Sequence, residues 1–324
     1  MLPILARLGP LDFGDALLAT LGFFLLLLLW RKAARALGEE VPPLTVLGVL
    51  LNFLLSVGLA AGLVWLINRF GPVEIKSYGL MLVVGFAAAT LWCMHAGARL
   101  GYEPTVWLDL VLYLLVGAVI GARVVYVILD WHLYAGHVTQ TLALWQGGLS
   151  FHGGVLGGIA GGAVYAWRSR QSFLKLSDIV APAIALGYSF GRIGCFLNGC
   201  CYGRPTSCAL GLTFPRATWI DGAPIHGPVH PTQLYASAAS LLIFAVLVWV
   251  SPRLRRPGHT FVLYLVLYSV YRFFIEYLRR GATAVPLSFF PALTVGQFAS
   301  LIVGAAGLLT LVVTWPRGGE ADGD

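Results

Sequence analysis

The sequence predicts an all-α fold, a polytopic membrane bundle of about nine transmembrane helices. Three observations carry this. Of the 324 residues, 58% are hydrophobic and only 11% are charged, whereas a soluble domain carries about 25% charged residues. Apolar runs recur at about 20 residues, the length that crosses a bilayer as a helix. Backbone groups in lipid must bond within their own segment, so each such run is a helix.

The spans are read at 13–30, 43–67, 78–98, 105–128, 149–167, 178–200, 233–251, 259–276 and 292–315. The first is not a signal peptide. Its basic cluster, Arg31, Lys32 and Arg35, follows the apolar run instead of preceding it, and no small-residue cleavage site is evident. The first two spans form an N-terminal extension, 1–70. Seven spans form a second domain, 71–316. The polar tail 317–324, "RGGEADGD", is expected to be disordered.

The formal net charge is +7. The basic residues are scattered over short loops and do not gather on one soluble face, which argues against nucleic acid as a partner. Positive-inside asymmetry accounts for them. With the N-terminus outside, eleven lysines and arginines fall in inner loops and tail and seven in outer segments. Arg123, Arg192 and Arg272 are left inside or at the edge of spans. A charge there costs about 2.5–3.5 kcal/mol on insertion scales. The expected topology puts all three at a similar depth on the outer side.

Other polar residues are expected at that level. Tyr78 opens the third span, and His152 stands at the outer start of the fifth, in "GGLSFHGG". Asn198 follows Arg192 by six residues. Tyr268, Arg272 and Glu276 are spaced four apart and share a helix face. Asp109, near the inner end of its span, is read as a structural carboxylate. Fixed guanidinium forks suit a phosphate, and a phosphate at headgroup level belongs most simply to a phospholipid. His152 is placed to exchange a proton near neutral pH. In "HGGVLGGIAGGA", Gly153, Gly157 and Gly161 form one stripe and Gly154, Gly158 and Gly162 the next. This spacing lets helices approach closely. Gly153 and Gly154, beside His152, are also candidates for contact with a headgroup.

With these residues assembled, the chain resembles the bacterial prolipoprotein diacylglyceryl transferases over roughly residues 71–315. The resemblance rests on ordered blocks: "GPVEIKSYGLMLVVG", "GARVVYV", "WQGGLSFHGG", "GRIGCFLNGCCYGRPT", "HPTQLY", "YSVYRFFIEYLRR" and "LTVGQ". It implies a seven-helix enzyme of the bacterial cytoplasmic membrane, its site facing outward. It further implies that phosphatidylglycerol donates its diacylglyceryl group to the lipobox cysteine of a prolipoprotein, with release of glycerol phosphate. By resemblance, Arg192 binds the lipid phosphate, Arg272 is a second essential arginine, and Arg123 is a further one. Tyr78 and Tyr268 are functional tyrosines, His152 assists thiol deprotonation, and Asn198 is the second asparagine of the signature. No cofactor and no metal are implied. A phospholipid transporter or scramblase, or an inactive lipid- or lipoprotein-binding paralogue, is the competing reading.

The signature departs from the family pattern Gly-Arg-x-Gly-Asn-Phe-x-Asn-Gly-Glu. Cys195 replaces the first asparagine and Cys200 the glutamate, and Ala236 stands where a glutamate usually follows "HPTQLY". Cys200, Cys201 and Cys208 are expected in an oxidising compartment, where disulfides persist. The spacing C-x4-C-C-x6-C lacks a paired CxxC and matches structural zinc patterns poorly. One disulfide joining Cys208 to Cys200 or Cys201 is therefore expected, with Cys195 and Cys93 free. The rival reading keeps all five thiols reduced.

Overall fold

In a computed structural model of the chain, the described residues are 73–134, 138–143, 147–214, 227–254, 256–279 and 293–314, with 4–8 and a few isolated positions. The chain divides into two compact units, residues 2–79 and 80–324. In the first, strand β1 (Ile4–Leu8) pairs antiparallel with β2 (Val73–Lys76), placing Ile4 opposite Lys76 and Leu8 opposite Val73. The expected spans 13–30 and 43–67 lie outside the described residues, apart from isolated positions.

Seven α-helices make up most of the rest of the described chain: α1 (Ser77–Ala98), α2 (Pro104–Leu129), α3 (Phe151–Arg168), α4 (Phe173–Asn198), α5 (Thr232–Val250), α6 (His259–Ile275) and α7 (Val295–Thr314). Among the described residues, six helices are long and apolar enough to cross a membrane. The seventh, α3, falls short of that measure. Its 18 residues include six glycines and a terminal arginine, which dilute its apolar content. On α2 the exposed side chains Leu108, Leu112, Val116, Ile120, Val124 and Ile128 repeat every four residues. Such a continuous apolar stripe is foreign to a water-facing helix and suited to lipid.

Helix ends follow local chemistry. Pro104 opens α2 at a position where its missing N–H costs nothing. Ser150 and Ser172 cap α3 and α4 by accepting from the Gly153 and Lys175 amides. At α7, Thr294 and Gln297 form a reciprocal capping box. The α6 N-terminus is capped from another helix: Asp178 on α4 accepts from the Gly258 and Phe261 amides at 2.6 and 2.9 Å.

The packing is pairwise. Helix α2 lies against α3, α4 against α5 and α6, and α6 against α7. The α2–α3 crossing is closest. A Cβ at Gly157 would sit 2.1 Å from the Gly117 carbonyl oxygen, and one at Gly153 2.4 Å from that of Gly121. One buried core joins Trp107 and Leu110 of α2 to Tyr165 of α3 and Leu176 and Ile179 of α4. A second joins Ala181 and Ala185 of α4 to Ile243 and Leu247 of α5 and Tyr264 of α6.

Candidate active site

Helices α4 and α6 bring two of the predicted arginines to one cluster of tyrosines. The Arg192 guanidinium lies over the Tyr188 ring, 4.7 Å from its centroid, in reach of a cation–π interaction. Tyr188 stands one turn before Arg192 on α4 and meets Tyr268 of α6 edge-on at 5.8 Å. Tyr268 in turn packs against Tyr264 and Tyr271. Arg192 and Arg272 both act electrostatically on Tyr268 and on Tyr271. The two cations therefore address the same pair of phenols. Both arginines are half-buried, so each keeps an accessible side.

Arg272 has a fixed partner. It is ion-paired with Glu276, one turn along α6, and Glu276 is only 5% exposed. Gly296 at the start of α7 makes room for this pair. A Cβ there would meet the Arg272 guanidinium at 2.9 Å and the Glu276 carboxylate at 3.1 Å.

The segment after Arg192 turns sharply. Gly199, at φ 73°, ends α4 in the left-handed conformation. The Gly199 amide donates to the Phe196 carbonyl and the Cys200 amide to that of Cys195, a Schellman turn. Cys201 follows at φ 63°, uncommon for a residue with a side chain. The "HPTQLY" block holds this turn. Thr232 Oγ1 donates to the Cys201 carbonyl at 2.8 Å and Gln233 Nε2 to the Cys200 carbonyl at 2.6 Å. Gly203 is wedged next to it, where a Cβ would sit 2.4 Å from the Leu278 carbonyl oxygen. The loop bonds onward to residues 228–230 and to Leu278.

The cysteines differ from expectation. Cys208 is free and exposed, as a single thiol in the 206–211 turn. The thiols that converge are instead Cys195, Cys200 and Cys201, whose sulfurs lie within 4.8 Å of one another. The turn at Gly199 folds Cys200 and Cys201 back toward Cys195 and leads Cys208 elsewhere. Cys195 is therefore no isolated apolar filler. Cys201 has its thiol held below the ordinary thiol range. Hydrogen bonds from Cys195 and Cys200 stabilise its anion, with Arg192 and Arg279 adding positive charge, against the opposing effect of burial.

Arg123 is engaged differently. It is 6% exposed, and four of its N–H groups donate to the carbonyls of Gln140, Thr141, Gly147 and Gly148 at 2.7–3.0 Å. The guanidinium is consumed by the loop between α2 and α3, within reach of the Tyr126 and Tyr134 rings. His152, in the first turn of α3, is exposed and packs edge-on against Phe151 at 5.6 Å. Gly153 and Gly154 face α2, against Gly121, Ala122 and Ala118. At this crossing they serve helix contact. Tyr78, in the first turn of α1, is 39% exposed. Asn198 ends α4 and interacts with Cys200.

Tyr188, Tyr271, Gln233 and Glu276 complete the arrangement. For Tyr188 and Glu276 the signal was in the sequence, because each stands four residues from an arginine. Tyr271 and Gln233 are recognisable only through contacts made by the fold. Chemically, the cluster offers two guanidinium groups to an anion, phenols to orient it, and thiols one turn away.

Residues 65–313 match the family profile described as prolipoprotein diacylglyceryl transferase. The chain is 36% identical over 255 residues to the phosphatidylglycerol–prolipoprotein diacylglyceryl transferase of Nitratidesulfovibrio vulgaris, covering 78% of this chain and 94% of that one. The protein of that name from Chromohalobacter salexigens is 37% identical over 251 residues, 76% of this chain and 90% of the other. Transferase 2 of Clostridium perfringens is 29% identical over 255 residues, 78% and 96% of the two chains. The matched region contains both arginines, the tyrosine cluster and the thiol turn, and the chain belongs to the prolipoprotein diacylglyceryl transferase family.

Proposed function

We propose that the chain transfers the diacylglyceryl group of phosphatidylglycerol to the thiol of a lipobox cysteine in a prolipoprotein. A thioether forms and glycerol phosphate leaves. The observation that carries this reading is the pair of half-buried arginines, Arg192 and Arg272, joined through one tyrosine cluster in otherwise apolar helices. Two cations in a poorly hydrated setting favour the phosphate as its leaving oxygen gains charge, more than water would. Tyr188, Tyr268 and Tyr271 hold the arginines' orientation, and Glu276 fixes Arg272. Asn198 and the turn it begins line the acceptor side. His152 serves as a proton acceptor and Tyr78 as a headgroup contact. Arg123 fixes the loop that leads to His152, and Gly153 and Gly154 seat α3 against α2.

The enzyme resides in the bacterial cytoplasmic membrane with this site toward the outer side. Residues 71–316 form the catalytic domain, 1–70 an extension, and 317–324 a tail. The test is to incubate the purified chain with phosphatidylglycerol and a lipobox peptide. A diacylglyceryl mass increment on the peptide cysteine is expected. Its absence, with lipid instead moving between leaflets of a proteoliposome, favours the transporter reading.

A further inference from the structure

Three sulfur atoms meet beside Arg192, and the phosphate chemistry above does not use them. The Sγ atoms of Cys195, Cys200 and Cys201 lie within 4.8 Å of one another. Sulfurs bound tetrahedrally to zinc at about 2.3 Å stand about 3.8 Å apart, so small side-chain rotations close the cluster onto an ion. The backbone that presents them is firmly held. The Schellman turn at Gly199 returns the chain over Cys195, the left-handed Cys201 turns it again, and Thr232 and Gln233 clamp both carbonyls. This helix end does the work that a C-x2-C knuckle does elsewhere. The cluster is also open, since Cys201 is exposed and the other two are half-buried. Gln233, fully buried at the same turn, has its Oε1 without a hydrogen-bond partner. Arg192 and Arg279 act on Cys201 from nearby, which offsets the negative charge of a multi-thiolate centre.

We infer that Cys195, Cys200 and Cys201 form a zinc site with an open fourth position that takes the acceptor thiol of the substrate as a metal thiolate. The acceptor role rests on the transfer reading given above. Three protein ligands and one open position are the arrangement of a working zinc centre, and a thiol bound to such an ion is deprotonated outright. The acceptor S–H proton passes to water on coordination. The sulfur then forms a bond to the glyceryl carbon, and that carbon's bond to the phosphate oxygen breaks. The electron pair leaves on the oxygen as glycerol phosphate, facing Arg192 and Arg272. The neutral thioether is a weaker ligand and departs. Zinc stays divalent and nothing is oxidised or reduced.

The test uses the full chain, purified in detergent under reducing conditions and loaded with zinc alone or cobalt(II) alone. About one zinc per chain is expected, with thiolate-to-metal absorption in the cobalt form. Cys200→Ser and Cys201→Ser should lose the absorption and most of the metal while circular dichroism shows the helices intact. Cys208→Ser should keep both. An unaided thiol of pKa about 8.5 is only a few per cent ionised at pH 7, so chelation should slow transfer about 30-fold at pH 7 and much less at pH 9. The inference is overturned by a metal-free wild type, by unchanged binding in Cys200→Ser, by a disulfide among the three thiols in native membranes, or by a stripped enzyme as fast as the loaded one at pH 7. A zinc-loaded protein that transfers no lipid, with or without metal, instead overturns the transfer reading and leaves the metal site standing.

Discussion

Arg123 and Arg192 look alike in sequence, each a guanidinium near the outer end of an apolar helix, yet they do different work. Arg192 keeps an accessible side over Tyr188, whereas Arg123 has spent four N–H groups on loop carbonyls. Arg192→Ala and Arg272→Ala should each reduce transfer by about 100-fold or more, the scale of losing one preorganised charge donor. For Arg192→Ala, melting in detergent should change little, whereas Arg272→Ala also strips Glu276 of its partner and should melt earlier. Near wild-type turnover in Arg192→Ala, measured with the lipobox peptide, would reduce this arginine to a snorkelling anchor. Arg123→Lys should do the reverse. A single ammonium cannot reproduce a planar fork, and the part-buried carbonyls of the loop lose donors, at up to about 1–3 kcal/mol each. Its thermal midpoint should fall by several degrees while KM for phosphatidylglycerol holds. The residue types and their four-residue spacing made Tyr268, Arg272 and Glu276 legible in the sequence. What separates Arg123 from the others is a loop 17–25 residues away in the chain, and spacing alone carries no information about it.

At the scale of elements, glycine position decides how closely α2 and α3 approach. The alternating stripes of "HGGVLGGIAGGA" were readable as packing, but only the crossing shows which stripe faces the partner. Gly153, Gly157 and Gly161 press on carbonyl oxygens of α2, with a hypothetical Cβ at 2.1–2.4 Å. Gly158 has its nearest neighbour at 3.9 Å. Gly157→Ala should therefore destabilise the protein by about 1–3 kcal/mol or more, because backbone and not a flexible side chain must yield. Gly158→Ala should be neutral or slightly stabilising, since alanine is the better helix former. Comparing the two by fluorescence-detected melting checks the assignment, and equal melting of both variants would contradict it. The thiol turn teaches the same lesson. Cysteine spacing pointed toward Cys208, whereas the left-handed Gly199 redirects Cys200 and Cys201 to Cys195. A disulfide partner cannot be read from spacing when a helix end reverses the chain between the candidates.

For the whole molecule, the question is which end of the bundle faces the cytoplasm. The described helix ranges agree with seven of the expected spans to within about five residues. The largest difference is at α4, which begins at Phe173 because Ser172 supplies the cap and Asp178 is used inside the helix to hold α6. Hydropathy does not register that use, so a half-buried carboxylate reads as the edge of a span. The links after α3 and α5 carry Arg168, Arg170 and Lys175, and Arg253, Arg255 and Arg256. Because successive links alternate ends, the turn bearing Cys208 belongs to the opposite face. On the proposed orientation, which follows positive-inside bias, the Arg168 end lies in the cytoplasm and the Cys208 turn outside. A membrane-impermeant maleimide should label Cys208, exposed at the far end, in intact cells of a Cys201→Ser background. Arg168→Cys, introduced into a Cys201→Ser, Cys208→Ser background, should react only after the membrane is opened. The reverse pattern would turn the site toward the cytoplasm. A secreted acceptor would then have to be modified before crossing, and the proposed outward-facing site would fail with it.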